Sequence, residues 1–298
     1  MKPNIVFLDE YTLGGADLTR LHELGRYTGY STTAPDEVAD RCRDAEIVIT
    51  NKVVMRRETL AALPGLRLIC IAATGMNNID LDACRARGIV VSNVRGYARD
   101  TVPEHVFALL LALIRQIGPY HRSVAAGRWQ QSEQFCYFDY PIRDLAGRKL
   151  GILGSGTLGQ GVARIAEAFG MTVLRGEHKG AAAVREGYLP FEQLIGEADV
   201  ISLHCPLVKD GPKATYHLIN AETLRMMKSE AILINTGRGP LVDEPAVAEA
   251  LHNNQLAAYC ADVTAEEPPH ISNPLLHEPH AYLTPHVAWA TVEARQRL

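Results

Sequence analysis

Apolar runs alternate with amphipathic, helix-like stretches along the whole chain. Four of these runs lie before residue 100, at residues 4–9, 45–50, 66–74 and 88–94. Runs that are apolar on both faces and separated by amphipathic stretches are typical of parallel strands covered by helices. The first hundred residues are therefore predicted to form a doubly wound parallel sheet.

A second series of six apolar runs begins near residue 149. In chain order these runs are KLGIL, MTVLRG, ADVISLHCPL, EAILINTG, LAAYCADV and AYLTPH. Their alternation with helical patterns predicts a second doubly wound unit. The predicted fold class is therefore α/β, with two doubly wound parallel-sheet (Rossmann-like) domains and a cleft between them.

A strongly apolar helix is predicted between the two series. Thr101 and Glu104 have the spacing of a capping box, and Pro103 stands in the first turn. The helix is expected to run to about Ile117. Its apolar positions cover much of its surface, which indicates burial between layers or between subunits. The aromatic segment at residues 127–148 is predicted to be irregular, either packed on its own domain or at a subunit contact.

Length and composition narrow the class of protein. The chain has 298 residues, of which 47% are apolar and 21% charged, with a formal net charge of −4. This length agrees with two domains of about 150 residues each. The basic residues are scattered without interleaved aromatics, so no nucleic-acid partner is expected. The N-terminal apolar stretch is too short for a signal peptide and the longest apolar run too short for a membrane span, which predicts a cytoplasmic protein.

Cysteine and histidine spacing gives no sign of a metal site or of a disulfide framework. The six cysteines lie far apart without a CxxC pair, and the eleven histidines form no HExxH motif. These patterns favour buried, reduced thiols, and no bound metal is expected.

A glycine-rich turn opens the second series. The strand KLGIL leads into Gly154-x-Gly156-x-x-Gly159 and a helix that begins near Thr157. Glycines at this spacing let the backbone turn tightly and approach a pyrophosphate at the positive end of the helix. Glycine-rich turns without a ligand are common. Here, however, the complete series of strand, turn, helix, strand and acid favours dinucleotide binding.

The acid of this series is Glu177, eighteen residues beyond Gly159. A carboxylate at this position accepts hydrogen bonds from the adenosine ribose hydroxyls and repels a 2′-phosphate, which favours NAD over NADP. Neighbouring Arg175, His178 and Lys179 weaken this preference. The predicted cofactor is NAD.

Arg238 follows the strand AILIN at its carboxyl end, the edge where ligands bind in doubly wound sheets. The glycines on either side let a small anion come close. A guanidinium holds a carboxylate in a two-pronged geometry, so one hypothesis makes Arg238 the anchor of an acidic substrate. The alternative is an arginine that bonds to carbonyls of its own loop, and Arg238 taken alone favours that alternative.

Two further polar residues follow later strands, Glu267 in CADVTAEEPP and His286 in YLTPHVAWA. Each alone has a simpler explanation, as a solvated turn residue and as a hydrogen-bonded core histidine. Together with Arg238 they suit one chemistry, in which the histidine takes the proton of an alcohol while hydride leaves the same carbon for nicotinamide. The carboxylate orients the histidine and favours its protonated form. Asp262 is a candidate for binding the nicotinamide carboxamide, with helix capping as the alternative.

These motifs resemble the D-isomer-specific 2-hydroxyacid dehydrogenases, in order and spacing, over nearly the whole chain. The matching segments are TVPEHV, LGILGSGTLG, LHCPL, LINTGRGPLVDE, EEPP and TPHVAWAT. Within that family the chain is most similar to the NAD-dependent glycerate dehydrogenases, also called hydroxypyruvate reductases. That similarity lies in QFCYFDYPI, GEHKG, NTGRGPL and TPHVAWA.

The resemblance implies roles for five residues around the substrate. Arg238 anchors the substrate, Glu267 is the partner of the histidine, and His286 is the acid and base. Thr74 and Gly75, in AATGMNNID, present backbone amides to the substrate carboxylate across the cleft. A plain strand-to-turn junction is the alternative for these two.

The resemblance also implies contacts with the cofactor. Thr157 and Leu158 lie at the pyrophosphate, and Glu177 lies at the ribose. The residues expected on the nicotinamide side are Cys205, Thr236, Gly237 and Asp262.

The resemblance further implies how the chain is divided. Residues 1–98 and 286–298 form a flavodoxin-like substrate (catalytic) domain, and residues 99–285 form the inserted NAD-binding Rossmann domain. The family is homodimeric, and the helix from Thr101 to Ile117 is similar to its dimer helix. Only twelve residues follow His286, where the family continues with a helix that packs on the first domain. The segment ATVEARQRL is expected to be a shortened version of that helix.

The expected activity is the NADH-dependent reduction of hydroxypyruvate to D-glycerate, or of glyoxylate to glycolate. Alternatives on the same scaffold are phosphite oxidation and the reduction of another 2-keto acid. Formate oxidation fits poorly, because Glu267 stands where the formate enzymes have glutamine. From another class, a dinucleotide-sensing binding protein that recruits peptides, like the transcriptional corepressors of this fold, is a further alternative.

Overall fold

The computed structural model describes residues 2–298 and divides into two compact units. Unit 1 comprises the chain up to Ala98 together with residues 290–298, and unit 2 comprises residues 99–289. The chain returns to unit 1 only at Ala290, because backbone hydrogen bonds to a buried carboxylate keep the preceding loop on unit 2.

Unit 1 contains a five-stranded parallel sheet. Its strands are β1 (Asn4–Phe7), β2 (Arg26–Gly29), β3 (Ile47–Thr50), β4 (Leu68–Ile71) and β5 (Val90–Asn93). Its first four helices are α1 (Thr19–Leu24), α2 (Val38–Arg41), α3 (Arg57–Ala61) and α4 (Leu81–Ala86). The strand order β2-β1-β3-β4-β5 is that of flavodoxin-like sheets.

The apolar runs of the sequence correspond to β1, β3, β4 and β5 but do not include β2. This strand pairs only with β1, so it lies at the edge of the sheet, and its side chains are mostly exposed. An edge strand with solvated side chains has no need of an apolar pattern, which explains why the sequence pattern missed it. The buried core of unit 1 includes Leu8, Val48, Leu60, Ile69 and Ile71.

Unit 2 contains a six-stranded parallel sheet, and all six predicted runs are strands. These are β6 (Lys149–Leu153), β7 (Thr172–Gly176), β8 (Val200–Leu203), β9 (Ile232–Asn235), β10 (Ala258–Ala261) and β11 (Ala281–Leu283). The strand order is β11-β10-β9-β8-β6-β7. The chain therefore changes direction across the sheet between β6 and β8, which is the switch point where doubly wound sheets bind ligands.

Six helices belong to unit 2. They are α5 (Thr101–Ile114), α6 (Ile117–Ala125), α7 (Thr157–Ala168), α8 (Phe191–Glu197), α9 (Ala221–Met226) and α10 (Glu244–His252). The apolar side of α5 packs within unit 2, where Val106, Leu110 and Leu113 share a core with Leu150 of β6 and Val162 of α7. Two doubly wound α/β sheets, as predicted, are confirmed.

The helix predicted between residues 101 and 117 is present, but its predicted N-cap and its predicted last residue are both wrong. The N-cap is Asp100 rather than Thr101, and the Asp100 side chain makes no capping hydrogen bond. At the other end α5 stops at Ile114, because Gln116 adopts the left-handed conformation with φ of 52°. Among residues 2–298 no single helix combines the length and apolar character needed to cross a membrane; α5 and α6 reach it only as a pair bent by 54°.

The returning segment forms a short helix, α11 (Val292–Arg297), that packs on unit 1. Ala294 is fully buried, and Arg295 Nη1 donates to the carbonyls of Leu13 (3.1 Å) and Gly14. Gln296 Oε1 accepts from the Asp17 amide at 2.8 Å. The segment expected to be a shortened closing helix is therefore helical and is attached to the first unit.

Candidate active site

The glycine-rich turn lies at the switch point of unit 2. Gly154 follows β6 with φ of 102°, and a Cβ at this residue would stand 2.4 Å from both the Cys205 nitrogen and the His204 carbonyl carbon. Only glycine lets the loops after β6 and β8 come this close. The two loops therefore form one surface at the carboxyl edge of the sheet.

The other two glycines of the motif have different surroundings. A Cβ on Gly159 would stand 2.1 Å from the Gly154 carbonyl oxygen, so this residue permits the close packing of α7 on β6. Gly156 is the N-cap of α7, and no atom lies within 4 Å of its virtual Cβ. Open space at a helix N-terminus suits an approaching phosphate, and Thr157 and Leu158 form the first turn there.

Two buried hydroxyl groups at this edge have no hydrogen-bond partner within residues 2–298. They are Ser155 Oγ in the glycine-rich turn and Thr236 Oγ1 just after β9. Buried polar atoms are normally satisfied, so a polar ligand is the natural partner for both. This observation fits the bound dinucleotide that the motif predicts.

A pocket of about 120 Å³ joins several predicted cofactor residues. Its lining includes Gly154, Glu177 and Cys205 from the prediction, and the apolar side chains of Leu153, Phe191 and Leu218. Burial raises the pKa of the Cys205 thiol to about 11, so this thiol is neutral at physiological pH. A largely apolar pocket beside a glycine-rich turn suits an adenine ring.

Glu177 lies directly after β7, as predicted, and is 4% exposed. It is paired with an arginine that the sequence reading did not identify. Arg185 Nε and Nη2 donate to the two carboxylate oxygens at 2.6 and 3.0 Å, and the His178 amide donates at 3.0 Å. The Arg185 guanidinium, followed by the His178 amide, lowers the pKa of Glu177 to about 2. Glu177 is thus a carboxylate with its charge largely neutralised.

The loop that carries Arg238 is fixed by the buried side chain of Asn235, the last residue of β9. Asn235 Nδ2 donates to the Arg238 carbonyl at 2.9 Å, and Asn235 Oδ1 accepts from the Gly237 amide at 3.0 Å. The Arg238 side chain is exposed, and its Nη1 donates to the Gly237 carbonyl at 2.7 Å. The bond to its own loop that the alternative interpretation expected is therefore present, and it engages one of the guanidinium nitrogens.

Glu267 and His286 are in direct contact. His286 Nδ1 lies 2.6 Å from Glu267 Oε2, and the side chains are 26% and 36% exposed. The other oxygen of Glu267 accepts from the Thr264 amide at 3.2 Å. With Nδ1 held by the carboxylate, Nε2 is the nitrogen that can serve a substrate. A half-exposed imidazole–carboxylate pair at the carboxyl edge of a doubly wound sheet is an arrangement suited to proton transfer.

Asp262 holds the loop that carries His286. Its carboxylate is 1% exposed and accepts from the amides of Val287 (2.8 Å) and Ala288 (2.7 Å) and from the Thr284 hydroxyl (2.6 Å). His105 of α5 lies 3.0 Å from the same hydroxyl. The partners of Asp262 are thus in the histidine loop rather than at a helix N-terminus, which is where helix capping would place them. The predicted contact with the carboxamide stays a prediction.

His286 itself has φ of 55°, in the left-handed region that is strained for most side chains. Trp289 Nε1 donates to the His286 carbonyl at 2.9 Å, which closes the turn from the other side. Strain at a single residue persists where surrounding contacts fix it, and such positions cluster at functional sites.

A close backbone contact joins the arginine loop to the loop that leads to Glu267. A Cβ on Gly239 would stand 2.0 Å from both the carbonyl carbon and the oxygen of Thr264. The same loop is held by Glu244, a buried residue at the start of α10 that accepts from the Ala265 amide at 2.7 Å. The arginine and the imidazole–carboxylate pair therefore stand on loops that pack directly on each other.

Gly239→Ala is expected to separate these two loops, because the added carbon meets backbone atoms that cannot rotate away. We expect kcat/KM to fall by at least about tenfold and the free energy of unfolding to fall by about 1–3 kcal/mol. Urea unfolding and steady-state kinetics measure both. Gly196→Ala in α8 is the matched control, since its nearest atom is the Met226 oxygen at 3.6 Å. A Gly239→Ala protein with unchanged stability and activity would contradict the packing described above.

His204 is expected to make the stability of the protein depend on pH. Its Nε2 lies 2.8 Å from Ser202 Oγ, its Nδ1 is buried without a partner among the described residues, and burial lowers its pKa to about 4. An unfolded histidine has a pKa of about 6.5, so between these values the unfolded chain binds the extra proton. The free energy of unfolding should therefore decrease as pH falls from about 6.5 to about 4, by up to about 1.4 kcal/mol per pH unit.

Urea titrations at pH 7 and pH 5 test this. His204→Gln keeps a partner for Ser202 but removes the titration, so its loss of stability at the lower pH should be smaller than that of the parent protein. His252→Asn, at the exposed end of α10, should retain the parent's pH dependence. Equal pH dependence in all three proteins would show that His204 does not contribute.

Thr74 and Gly75 belong to unit 1 and follow β4. Thr74 Oγ1 donates to the Val94 carbonyl at 2.8 Å, and Asn93 Nδ2 donates to the Thr74 carbonyl at 2.7 Å. The turn is thus fixed against the end of β5. Its predicted role in substrate binding stays a prediction.

The sequence reading missed three residues that shape the site. Asn235 and Glu244 are buried polar residues that hold loops, and Arg185 is the partner of Glu177. A polar residue closing a buried apolar strand was a usable signal for Asn235. Within residues 2–298 no group of three or more His, Cys, Asp or Glu side chains is placed to hold a metal ion.

Comparison with known proteins agrees with this geometry. Residues 107–288 match the family described as D-isomer specific 2-hydroxyacid dehydrogenase, NAD binding domain. The chain is 46% identical to a glycerate dehydrogenase of Methylorubrum extorquens over 302 residues, which cover 100% of this chain and 93% of that protein. It is 37% identical to a hydroxypyruvate reductase of Blautia hydrogenotrophica, covering 99% of this chain and 92% of that one.

A solved structure is similar over the same length. It is the NADPH-dependent glyoxylate/hydroxypyruvate reductase of Sinorhizobium meliloti in complex with NADP and malonate. The TM-score is 0.82 at 27% sequence identity, and the match covers 99% of this chain and 90% of that one.

Proposed function

Because this chain belongs to the family of D-isomer-specific 2-hydroxyacid dehydrogenases, we propose that it reduces hydroxypyruvate to D-glycerate, or glyoxylate to glycolate, with NADH as reductant. The observation that carries the proposal is the 2.6 Å contact between His286 and Glu267, on loops that pack against the loop of Arg238. The names of the two curated relatives support this choice of substrates.

In this proposal three side chains act on the substrate. Arg238 binds the substrate carboxylate and polarises the neighbouring carbonyl. His286 in its protonated form donates the Nε2 proton to the carbonyl oxygen, and Glu267 stabilises the imidazolium and fixes its orientation. When bound, the nicotinamide cofactor supplies the hydride to the same carbon. In the reverse direction the neutral imidazole accepts the proton of the hydroxyl.

The geometry of unit 2 supports the proposed cofactor contacts. The N-terminus of α7, with Gly156, Thr157 and Leu158, would receive the pyrophosphate. The pocket lined by Gly154 and Glu177 would receive the adenosine, and Cys205, which was expected on the nicotinamide side, also lines this pocket. The proposed contacts on the nicotinamide side are Thr236, Gly237 and Asp262.

The proposal extends to the parts of the chain and to its assembly. Unit 2 serves as the dinucleotide domain and unit 1 as the substrate domain, with Thr74 and Gly75 contacting the substrate carboxylate. We propose a cytoplasmic homodimer. Exposed aromatic side chains in the irregular segment after α6 support a subunit contact, since Phe135 is 88% exposed and Phe138 83% exposed in the single chain.

A steady-state comparison of hydroxypyruvate, glyoxylate, pyruvate and phosphite tests the function. We expect the highest kcat/KM with hydroxypyruvate or glyoxylate and no reduction of NAD by phosphite. A purified protein that binds NADH but oxidises it with none of the three keto acids would refute the proposal and would favour a dinucleotide sensor.

A further inference from the structure

The hydrogen-bonding capacity of Glu177 is already used. One oxygen accepts from the His178 amide and Arg185 Nη2, both at 3.0 Å. The other accepts from Arg185 Nε at 2.6 Å and from the Arg185 amide at 3.4 Å. A carboxylate offers about four lone-pair positions, so two ribose hydroxyls would have to compete with the guanidinium.

Arg185 is held in an orientation that leaves part of its guanidinium in solvent. The pair with Glu177 uses Nε and Nη2 but not Nη1, and the Arg185 side chain is 62% exposed whereas that of Glu177 is 5% exposed. The guanidinium carbon lies 3.9 Å from the centre of the Tyr188 ring. Stacking and a bidentate pair together fix a planar cation at the mouth of the adenosine pocket.

A second pocket of about 430 Å³ adjoins the first at this end. Its lining shares Glu177, His178 and Arg185 with the adenosine pocket and adds Lys213 and the small side chains of residues 181–183. Two cations, Arg185 and Lys213, therefore line a pocket whose carboxylate, Glu177, is already paired with Arg185. The three alanines leave room for a group of phosphate size. The local charge thus favours an additional anion, which is the opposite of what an unpaired acid at position 177 would do.

We propose that Arg185 determines cofactor specificity, by occupying Glu177 and by receiving the 2′-phosphate of NADPH together with Lys213, so that this chain binds NADPH as well as NADH. The inference rests on the proposed dinucleotide function of unit 2. It adds NADPH to the NAD that the sequence predicted.

Binding of adenosine fragments tests the proposal without any turnover. Isothermal titration calorimetry would compare adenosine 2′,5′-bisphosphate with 5′-AMP, so that the ratio of the two Kd values reports the 2′-phosphate alone. We expect the parent protein to bind the bisphosphate at least as tightly as 5′-AMP, with this advantage decreasing as salt is added. Arg185→Ala should raise the Kd of the bisphosphate by about tenfold or more. The Kd of 5′-AMP should stay the same or decrease, because Glu177 becomes free to bind the ribose.

Controls separate the specific effect from a loss of structure. Arg115→Ala removes another surface arginine paired with a carboxylate, Asp144 at 3.1 Å, and should change neither Kd. Arg185→Gln serves as a second variant if the alanine protein is less stable. Lys213→Ala should weaken the binding of the bisphosphate but not that of 5′-AMP. Tighter binding of 5′-AMP than of the bisphosphate by the parent, or an equal loss of both in Arg185→Ala, would overturn the proposal. A protein that binds these fragments as expected but reduces no keto acid would contradict the proposed reductase function and leave the proposal about Arg185 intact.

Discussion

His286→Asn should lower kcat for hydroxypyruvate reduction by about 10²–10⁴-fold, the usual contribution of a general acid. Asparagine is the sharpest replacement because it tolerates the left-handed backbone that His286 adopts, with φ of 55°. The loop held by Asp262 should therefore stay in place while the transferable proton is lost. Stopped-flow and steady-state rates measure the loss, and the Kd of NADH should stay unchanged.

Two other variants show whether the loss of kcat comes from the missing proton donor or from a disturbed structure. Glu267→Gln keeps an oxygen near His286 Nδ1 but removes the negative charge, so it should give a smaller loss of kcat than His286→Asn. His252→Asn, on the exposed end of α10, should behave like the parent. Retention of more than about a tenth of the parent kcat by His286→Asn would exclude this residue as the proton donor.

Arg238→Ala should reduce kcat/KM for glyoxylate by about 30- to 5,000-fold, which corresponds to the roughly 2–5 kcal/mol lost when one partner of a hydrogen-bonded charge pair is removed. The reason is that Asn235 presents the arginine loop in a fixed conformation, so no other residue can easily replace the guanidinium. Arg238→Lys should recover only part of the loss, since an ammonium cannot make the two-pronged contact.

The chemistry of the substrate provides the test of this role. In pyruvamide a neutral carboxamide of similar size replaces the carboxylate that Arg238 is proposed to bind. Arg238→Ala should therefore lose kcat/KM with pyruvate far more than with pyruvamide, and added guanidinium should restore part of the pyruvate activity. Arg225→Ala, an exposed residue of α9, is the control. An equal loss with both substrates would assign Arg238 to loop structure rather than to substrate binding.

The sequence predicted most of the sheet structure because buried parallel strands must be apolar on both faces. The inner strands β6, β8, β9 and β10 follow that rule, and the partly exposed edge strands β7 and β11 were also visible as apolar runs. The exception, β2, is an edge strand with solvated side chains. The break between α5 and α6 was also missed: the left-handed residue is Gln116, and the signal for the break, Gly118 and Pro119, stands just beyond it.

The residues of the candidate site that directly follow strands could be predicted from the sequence. Arg238, Glu267 and His286 follow β9, β10 and β11, and the contact between Glu267 and His286 was expected from chemistry. The residues that hold these groups were harder to find. Glu244 contacts Ala265 from the first position of a helix, and Arg185 reaches Glu177 from an irregular segment without any period. Both pairings depend on tertiary packing.

The attachment of α11 to unit 1 has a consequence for the time course of biosynthesis. Unit 2 is one continuous stretch of chain, whereas the contact between Arg295 and the Leu13 carbonyl joins residues 282 positions apart. Domains generally fold as units while the chain emerges from the N-terminus. Unit 2 can therefore form from one uninterrupted segment of chain. The sheet of unit 1 is translated first, but α11 can pack on this unit only after the whole of unit 2 has been synthesised.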